Sequence, residues 1–357
     1  SRAEVPRYYA GDDPGMAVKN LRADAVKEVQ VFDKKSEQAE FTGIDDGKTQ
    51  KTINLKLKED KKKGYFGKAS AASDFQKFYE GEVFANKFKG SQKISVFGLL
   101  ANTPKTGLAG HDIYKYGLDN ENEMQFNEDT YFYTRPNEQA GIPRSMKSGI
   151  YYSDKLGKKT KLNANYTFGS KKMNVGSASR SQYFLSDTSY STTQESRDIQ
   201  NTESHSINMK LTQTLDSLTE LEIEPKLKLN KNEGSNHSLT SFYSMNDSLA
   251  RQTDVSNSST SEGYNLNTFV RLTRKFKKKD RKLRFNYNYL LIGSASDGFL
   301  KSINTGTDTL KDINQKKDND VNNQTHNAFV SYTEPITKKI KLQVEYTVNY
   351  NVSRQSK

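Results

Sequence analysis

The stretch "TKKIKLQVEYTVNYNV", Thr337 to Val352, alternates with a period of two. Ile340, Leu342, Val344, Tyr346, Val348, Tyr350 and Val352 fall on one side, and Lys341, Gln343, Glu345, Thr347, Asn349 and Asn351 on the other. Side chains alternate sides along a β-strand, whereas a helix repeats every ~3.6 residues. This segment therefore reads as a strand with one apolar and one polar face. The device recurs along most of the chain. Leu221, Ile223, Leu227 and Leu229 oppose Glu220, Glu222, Glu224, Lys226 and Lys228. Leu283, Phe285, Tyr287, Tyr289 and Leu291 oppose Arg284, Asn286 and Asn288, and Leu162, Ala164, Tyr166 and Phe168 oppose Lys161, Asn163 and Asn165. Pro225 has no N–H for a strand ladder, so a bulge is expected there.

The connections carry a second pattern. Short ones are expected at Lys89–Gln92, Leu156–Lys159, Thr214–Ser217, Lys277–Arg281 and Pro335–Lys339. Between them, Ser/Asn-rich stretches such as "GSKKMNVGSASRSQ" and "ARQTDVSNSSTSEG", and above all Thr103 to Lys147, read as long loops. Alternating short and long connections describe an up-and-down antiparallel sheet trimmed at one end. The count is about eleven strands, many near the ~9–11 residues that cross a bilayer as tilted strands. Only 33% of residues are hydrophobic, against ~45–50% in ordinary domains with a two-sided core. Disorder is disfavoured by 20 Tyr and 18 Phe lying in phase with the alternation. The longest apolar run, Ile94 to Ala101, is far short of the ~20 residues of a membrane helix. A soluble sandwich also alternates, but turns at one end, loops at the other and strands of bilayer-crossing length favour a transmembrane barrel, apolar outside and polar within.

A net charge of +12, with basic clusters at Lys58–Tyr65 and Arg274–Lys282, raises nucleic acid as a partner. No RNP-like or zinc-finger pattern accompanies them, and solvated turns account for them better. No nucleic-acid partner is expected. Cysteine is absent, which excludes thiolate metal sites and cysteine nucleophiles. Nucleophile elbows, zinc-protease motifs and phosphate-binding glycine loops are also missing, so neither an enzyme nor a cofactor is expected. His111, His205, His237 and His326 are too scattered to suggest a metal site. The candidate ligand-contacting residues are in the longest loop: Asp119, Glu121 and Glu123 beside Tyr131 and Tyr133. Asp45, Asp46 and Gly47 form a candidate turn in which Gly47 supplies a positive φ.

The segment from Ala23 to Asp60, "ADAVKEVQVFDKKSEQAEFTGIDDGKTQKTINLKLKED", resembles the second half of the plug domain of TonB-dependent outer-membrane receptors of Bacteroidetes type. A first barrel strand, "KKGYFGKASAAS", follows at once, and the later alternating segments look like the barrel of the same family. The plug loop lacks the Arg-Gly-Pro of many such receptors, and the family closes ~22 strands. The chain, whose start has neither Met nor signal peptide, is thus expected to be an internal piece. The resemblance implies an all-β fold with a small α+β plug remnant: residues 1–60 as the C-terminal part of a plug, and 61–357 as the N-terminal part of the barrel. It also implies import of a scarce solute across the outer membrane of a Gram-negative bacterium. In that reading, strands Val26–Phe32 and Thr52–Lys58 belong to the plug, and the Asp45–Gly47 loop and the Thr103–Lys147 loop meet the solute. Implied partners are outer-membrane lipid, a TonB-type energy-transducing protein engaged through a missing N-terminal segment, a small-molecule, glycan or peptide substrate, and a surface lipoprotein. The alternative is a plugged barrel that acts as a scaffold without transport.

Overall fold

The computed structural model describes residues 26–35, 47, 49–57, 63–103, 141–184, 189–306, 311–337 and 340–356. Every regular element among them is a β-strand, so the expected helical share of a plug remnant is not found among the described residues. β1 (Val26–Lys35) and β2 (Thr49–Leu57) pair antiparallel as a sheet of their own, with Val29 opposite Leu55 and Val31 opposite Ile53.

All other strands form one antiparallel meander of eleven, the number expected. Its strands are β3 (Lys63–Ser73), β4 (Tyr79–Lys89), β5 (Gln92–Ala101), β6 (Arg144–Leu156), β7 (Thr160–Phe184), β8 (Ser189–Asp216), β9 (Thr219–Tyr243), β10 (Leu249–Lys275), β11 (Lys282–Gly306), β12 (Ile313–Pro335) and β13 (Lys341–Ser356). Each strand neighbours the next in sequence, β3 and β13 have one neighbour each, and the sheet is open. Four of the five expected short turns are present, and the fifth, Pro335–Lys339, lies partly outside the described residues. Gly90 and Gly157 sit in two of them with φ of +64° and +70°, backbone that other residues adopt only with strain.

The long polar loops are corrected. "GSKKMNVGSASRSQ" lies within β7, and "ARQTDVSNSSTSEG" within β10. From β7 to β12 the strands run 25, 28, 25, 27, 25 and 23 residues, well beyond a bilayer-crossing length. The connections at this end are short as well: β9 passes to β10 through Ser244–Ser248, and β3 to β4 through Asp74–Phe78. Within the large sheet the connection between β5 and β6 is the long one, and residues 104–140 of it lie outside the described residues. Strand pairing needs backbone partners, not an apolar face. Ser, Thr and Asn on both faces therefore extend a ladder into water without any period-two signal.

The bulge at Pro225 is corrected too. Pro225 pairs with Thr268 of β10 in unbroken register. Towards β8 the ladder stops at Asn208–Lys226 and resumes at Leu211–Ile223, without a shift. The missing proline N–H therefore leaves a gap in the ladder and no extra residue. The irregularities of the large sheet fall beside turns, between Thr214 and Asp216 and between Leu249 and Arg251.

Register aligns the alternating residues into rows across the sheet. Leu162, Leu211, Ile223, Val270, Tyr287, Ala328 and Val348 make one row, and Leu272, Phe285, Val330 and Tyr346 another. This face carries the exposed large apolar side chains, among them Val96, Ile150, Tyr166, Ile207, Val344 (56%) and Tyr346 (69%). The opposite face holds the buried ones, Phe84 (1%), Leu99, Ala101 and Tyr151 (2%), together with buried Glu82, Asn86, Lys93, Ser95 and Glu224. Burial this deep is concentrated on the polar face of β4 to β6 and recurs at Glu224, Ser331 and Thr333, whereas along β13 the polar residues Glu345 to Asn351 are exposed. The sheet is inverted relative to a soluble one.

Candidate functional site: the charged inner face

Alternation in "ELEIEPKLKLN" puts Glu220, Glu222, Glu224, Lys226 and Lys228 of β9 on the partly buried, inner face. Register then sets Glu222 beside Arg271 of β10 and Thr212 of β8. Arg271 Nη1 donates to Glu222 Oε1 at 3.1 Å. Lys210 of β8 reaches Glu222 Oε2 at 3.3 Å and also pairs with Glu224. The glutamate side chains keep only 12% and 11% of their exposure, so four charges on three strands form one network low in solvent. Partly desolvated charges persist only when paired in this way. The Arg271 guanidinium also lies 4.9 Å from the ring centre of Phe269.

Beside and beyond this network the same face is mostly amide and hydroxyl, with Lys226 between Asn208 and Asn267. Asn208 donates to Asn165 Oδ1 at 2.9 Å, and Ser153 to Asn163 Oδ1 at 2.6 Å. At the β4–β6 side, Lys93 lies 5.6 Å over the ring of buried Tyr151. Buried polar atoms of Asn86, Ser95, Ser145, Asn267, Asn286 and Thr333 have no hydrogen-bond partner among the described residues. All belong to this inner face. Such groups are costly unless water or another polar surface meets them.

The turn end is tied by ion pairs. Glu334 accepts from Lys278 Nζ at 2.6 Å, from Arg281 Nε at 2.7 Å and from the Tyr332 hydroxyl at 2.6 Å. Lys341 meets Asp280 at 3.3 Å, and Lys159 donates to the Leu215 carbonyl at 3.3 Å. The basic turns are thus separate, each engaged with its own neighbour. At the opposite end, one carboxylate oxygen of Asp74 accepts the amides of Gln76, Lys77 and Phe78 at 2.9, 2.8 and 2.8 Å. These bonds, the one from Gln76 foremost, hold its carboxyl below the usual aspartate range.

Gly47 has a φ of +70° and is exposed, as its turn role required. Asp45 and Asp46 lie outside the described residues, as do Asp119, Glu121, Glu123, Tyr131, Tyr133 and His111. The other three histidines are far apart. His205 Nδ1 is 2.9 Å from the Tyr166 hydroxyl, His326 Nδ1 2.7 Å from that of Tyr287, and His237 Nε2 3.0 Å from Asp254. The described candidate residues are thus not gathered into one site. Lys210 and Arg271 were not anticipated as partners of Glu222 and Glu224. The signal was present: once the tight turns are fixed, counting outward from each turn places them opposite.

No family model matches the chain, and no curated protein matches it.

Proposed function

We propose that this chain supplies part of the wall, and part of the plug, of a TonB-dependent receptor that imports a scarce solute through the outer membrane. The observation that carries the proposal is the inverted sheet: an exposed apolar face backed by a partly buried, charged one. An apolar outside and a polar inside are what a bilayer-spanning barrel requires. The apolar rows of β11 run from Leu283 to Gly293, roughly 33 Å along the strand and ~25 Å across a bilayer at a tilt of ~40°. Among the described residues no helix is long and apolar enough to cross a membrane, which says nothing against strands. In this reading β3 to β13 are barrel wall and residues 1–60, with the β1–β2 hairpin, are plug. A wet, paired inner wall lets such a plug shift without breaking apolar contacts. Sealing against the lipid stays with the outer rows.

The membrane part is tested by charge placement. Val270→Arg, on the outer face mid-band, should cost ~2–4 kcal/mol, while Asn288→Arg, on the inner face, should cost little. Equal tolerance of both in lipid refolding would contradict the barrel. Import is tested in cells. Deleting the gene should abolish growth on one limiting nutrient that is accumulated only while the inner membrane is energised. Indifference across a nutrient panel, with the protein still in the outer membrane, would sink import and favour a non-transporting scaffold. That second reading is favoured by one observation, the long paired extensions that carry the sheet beyond the apolar band.

A further inference from the structure

The outward face does not end with its apolar rows. Beyond Tyr264 it continues up the extended strands, and two contiguous cavities of about 480 and 280 Å³ open on it. They share Ile199 of β8, Ser235 of β9, Ser258 of β10 and Phe299 of β11, which register places in one row. Ile199 and Phe299 are the walls, and the two serines between them are the floor. Phe299 keeps 45% of its exposure. One row further on lie Arg197, His237, Ser256 and Lys301 side by side, with His237 Nε2 3.0 Å from Asp254. On the other side Glu233 and Asp297 flank Thr260. Ser258 lies about 15 Å above the edge of the apolar band, from six residues at ~3.3 Å on a strand tilted by ~40°.

We propose that this groove binds the acidic oligosaccharide headgroup of an outer-leaflet glycolipid, an inference that rests on the membrane reading given above. A pyranose offers a C–H face to an aromatic ring and hydroxyls at its edges. Phe299 presents the ring, and the floor presents serine hydroxyls that no described side chain engages. Arg197 and Lys301 meet phosphate or carboxylate substituents, while Asp297, and Glu233 with the oxygen that its 3.0 Å pair with Lys231 leaves, accept from sugar hydroxyls. Other occupants fit less well. An acyl chain needs continuous apolar walls, and these are interrupted by serines. An added peptide strand needs a free sheet edge, and β8 to β11 are paired on both sides. A glycolipid headgroup reaches this height from the surrounding membrane, and the groove faces that way.

The test uses the full chain in detergent and titrates acidic core oligosaccharide released from lipopolysaccharide by mild acid. The wild type should bind saturably. Phe299→Ala and Lys301→Gln should each weaken binding at least tenfold, and Ser258→Trp, which fills the floor, should abolish it. These positions are exposed on a paired sheet, and circular dichroism checks that each variant keeps its strands. If one is lost, Arg197→Gln replaces it. Unchanged affinity in Phe299→Ala and Ser258→Trp would overturn the proposal, as would equal binding of a neutral glucan. Intact lipopolysaccharide in nanodiscs should compete with the free core, and failure to compete would overturn the glycolipid source. Fractionation of the same cells separates the two levels. A chain in the outer membrane that binds no oligosaccharide sinks the groove alone, whereas a chain recovered without detergent sinks the membrane reading.

Discussion

At the scale of single residues, the strongest local determinants are carboxylates with several partners. Glu222 pairs with both Arg271 and Lys210 on a largely covered face. A double-mutant cycle on Glu222→Gln and Arg271→Gln should give a coupling of about 1–2 kcal/mol, between the ~0.2–1 of exposed pairs and the ~3–5 lost when a buried pair is broken. Coupling near zero would mean that water screens the inner face more than its burial implies. Asp74 makes a pH prediction. Its folded pKa is depressed by three amide donors. Its contribution to the β3–β4 turn is therefore complete above the unfolded value of ~3.9 and lost as pH falls through the lower folded value. Amide exchange at Gln76 to Phe78 should stay slow from neutral pH to about pH 4 and quicken only below it. Quickening already between pH 6 and 5 would refute this.

At the scale of elements, Pro225 is the informative strand residue. Its side chain lies on the outer face, and it costs β9 a stretch of ladder with β8. Pro225→Val should restore that stretch, adding about 0.5–1.5 kcal/mol for one hydrogen bond. The check is slower amide exchange at Met209 and Lys210 together with a higher unfolding midpoint, and a lower midpoint would show that the proline fits a local twist. The legibility of the fold follows the same physics. Turns were readable because Gly, Lys and Asp punctuate strong alternation, and strands were readable wherever one face meets something apolar, as in Leu283 to Leu291. The outer halves of β7 and β10 were not, because "VGSASRSQ" and "DVSNSSTS" have water on both sides and period two leaves no mark. The inner-face network was half legible. The parity of Glu222 and Glu224 was evident, while Lys210 and Arg271 emerge only when neighbouring registers are fixed.

At the scale of the whole molecule, the wall is a meander of eleven strands with open margins at β3 and β13. Along β13, Leu342, Val344, Tyr346, Val348 and Tyr350 are exposed, and unpaired backbone in hydrocarbon is costly. Since the chain has no cysteine, introduced pairs report cleanly on whether these margins meet. Tyr65→Cys scanned against Val348→Cys, Tyr350→Cys and Val352→Cys should give no disulfide within one molecule, and efficient bonding of any pair would mean that the wall seals on itself. The reason lies in direction. In a meander each strand reverses the last, so the first and the eleventh point the same way, and joined directly they would make a parallel seam in an otherwise antiparallel wall. A second identical chain standing the same way up offers only the same mismatch at both joints. Whatever completes the wall with antiparallel seams must therefore bring an odd number of strands.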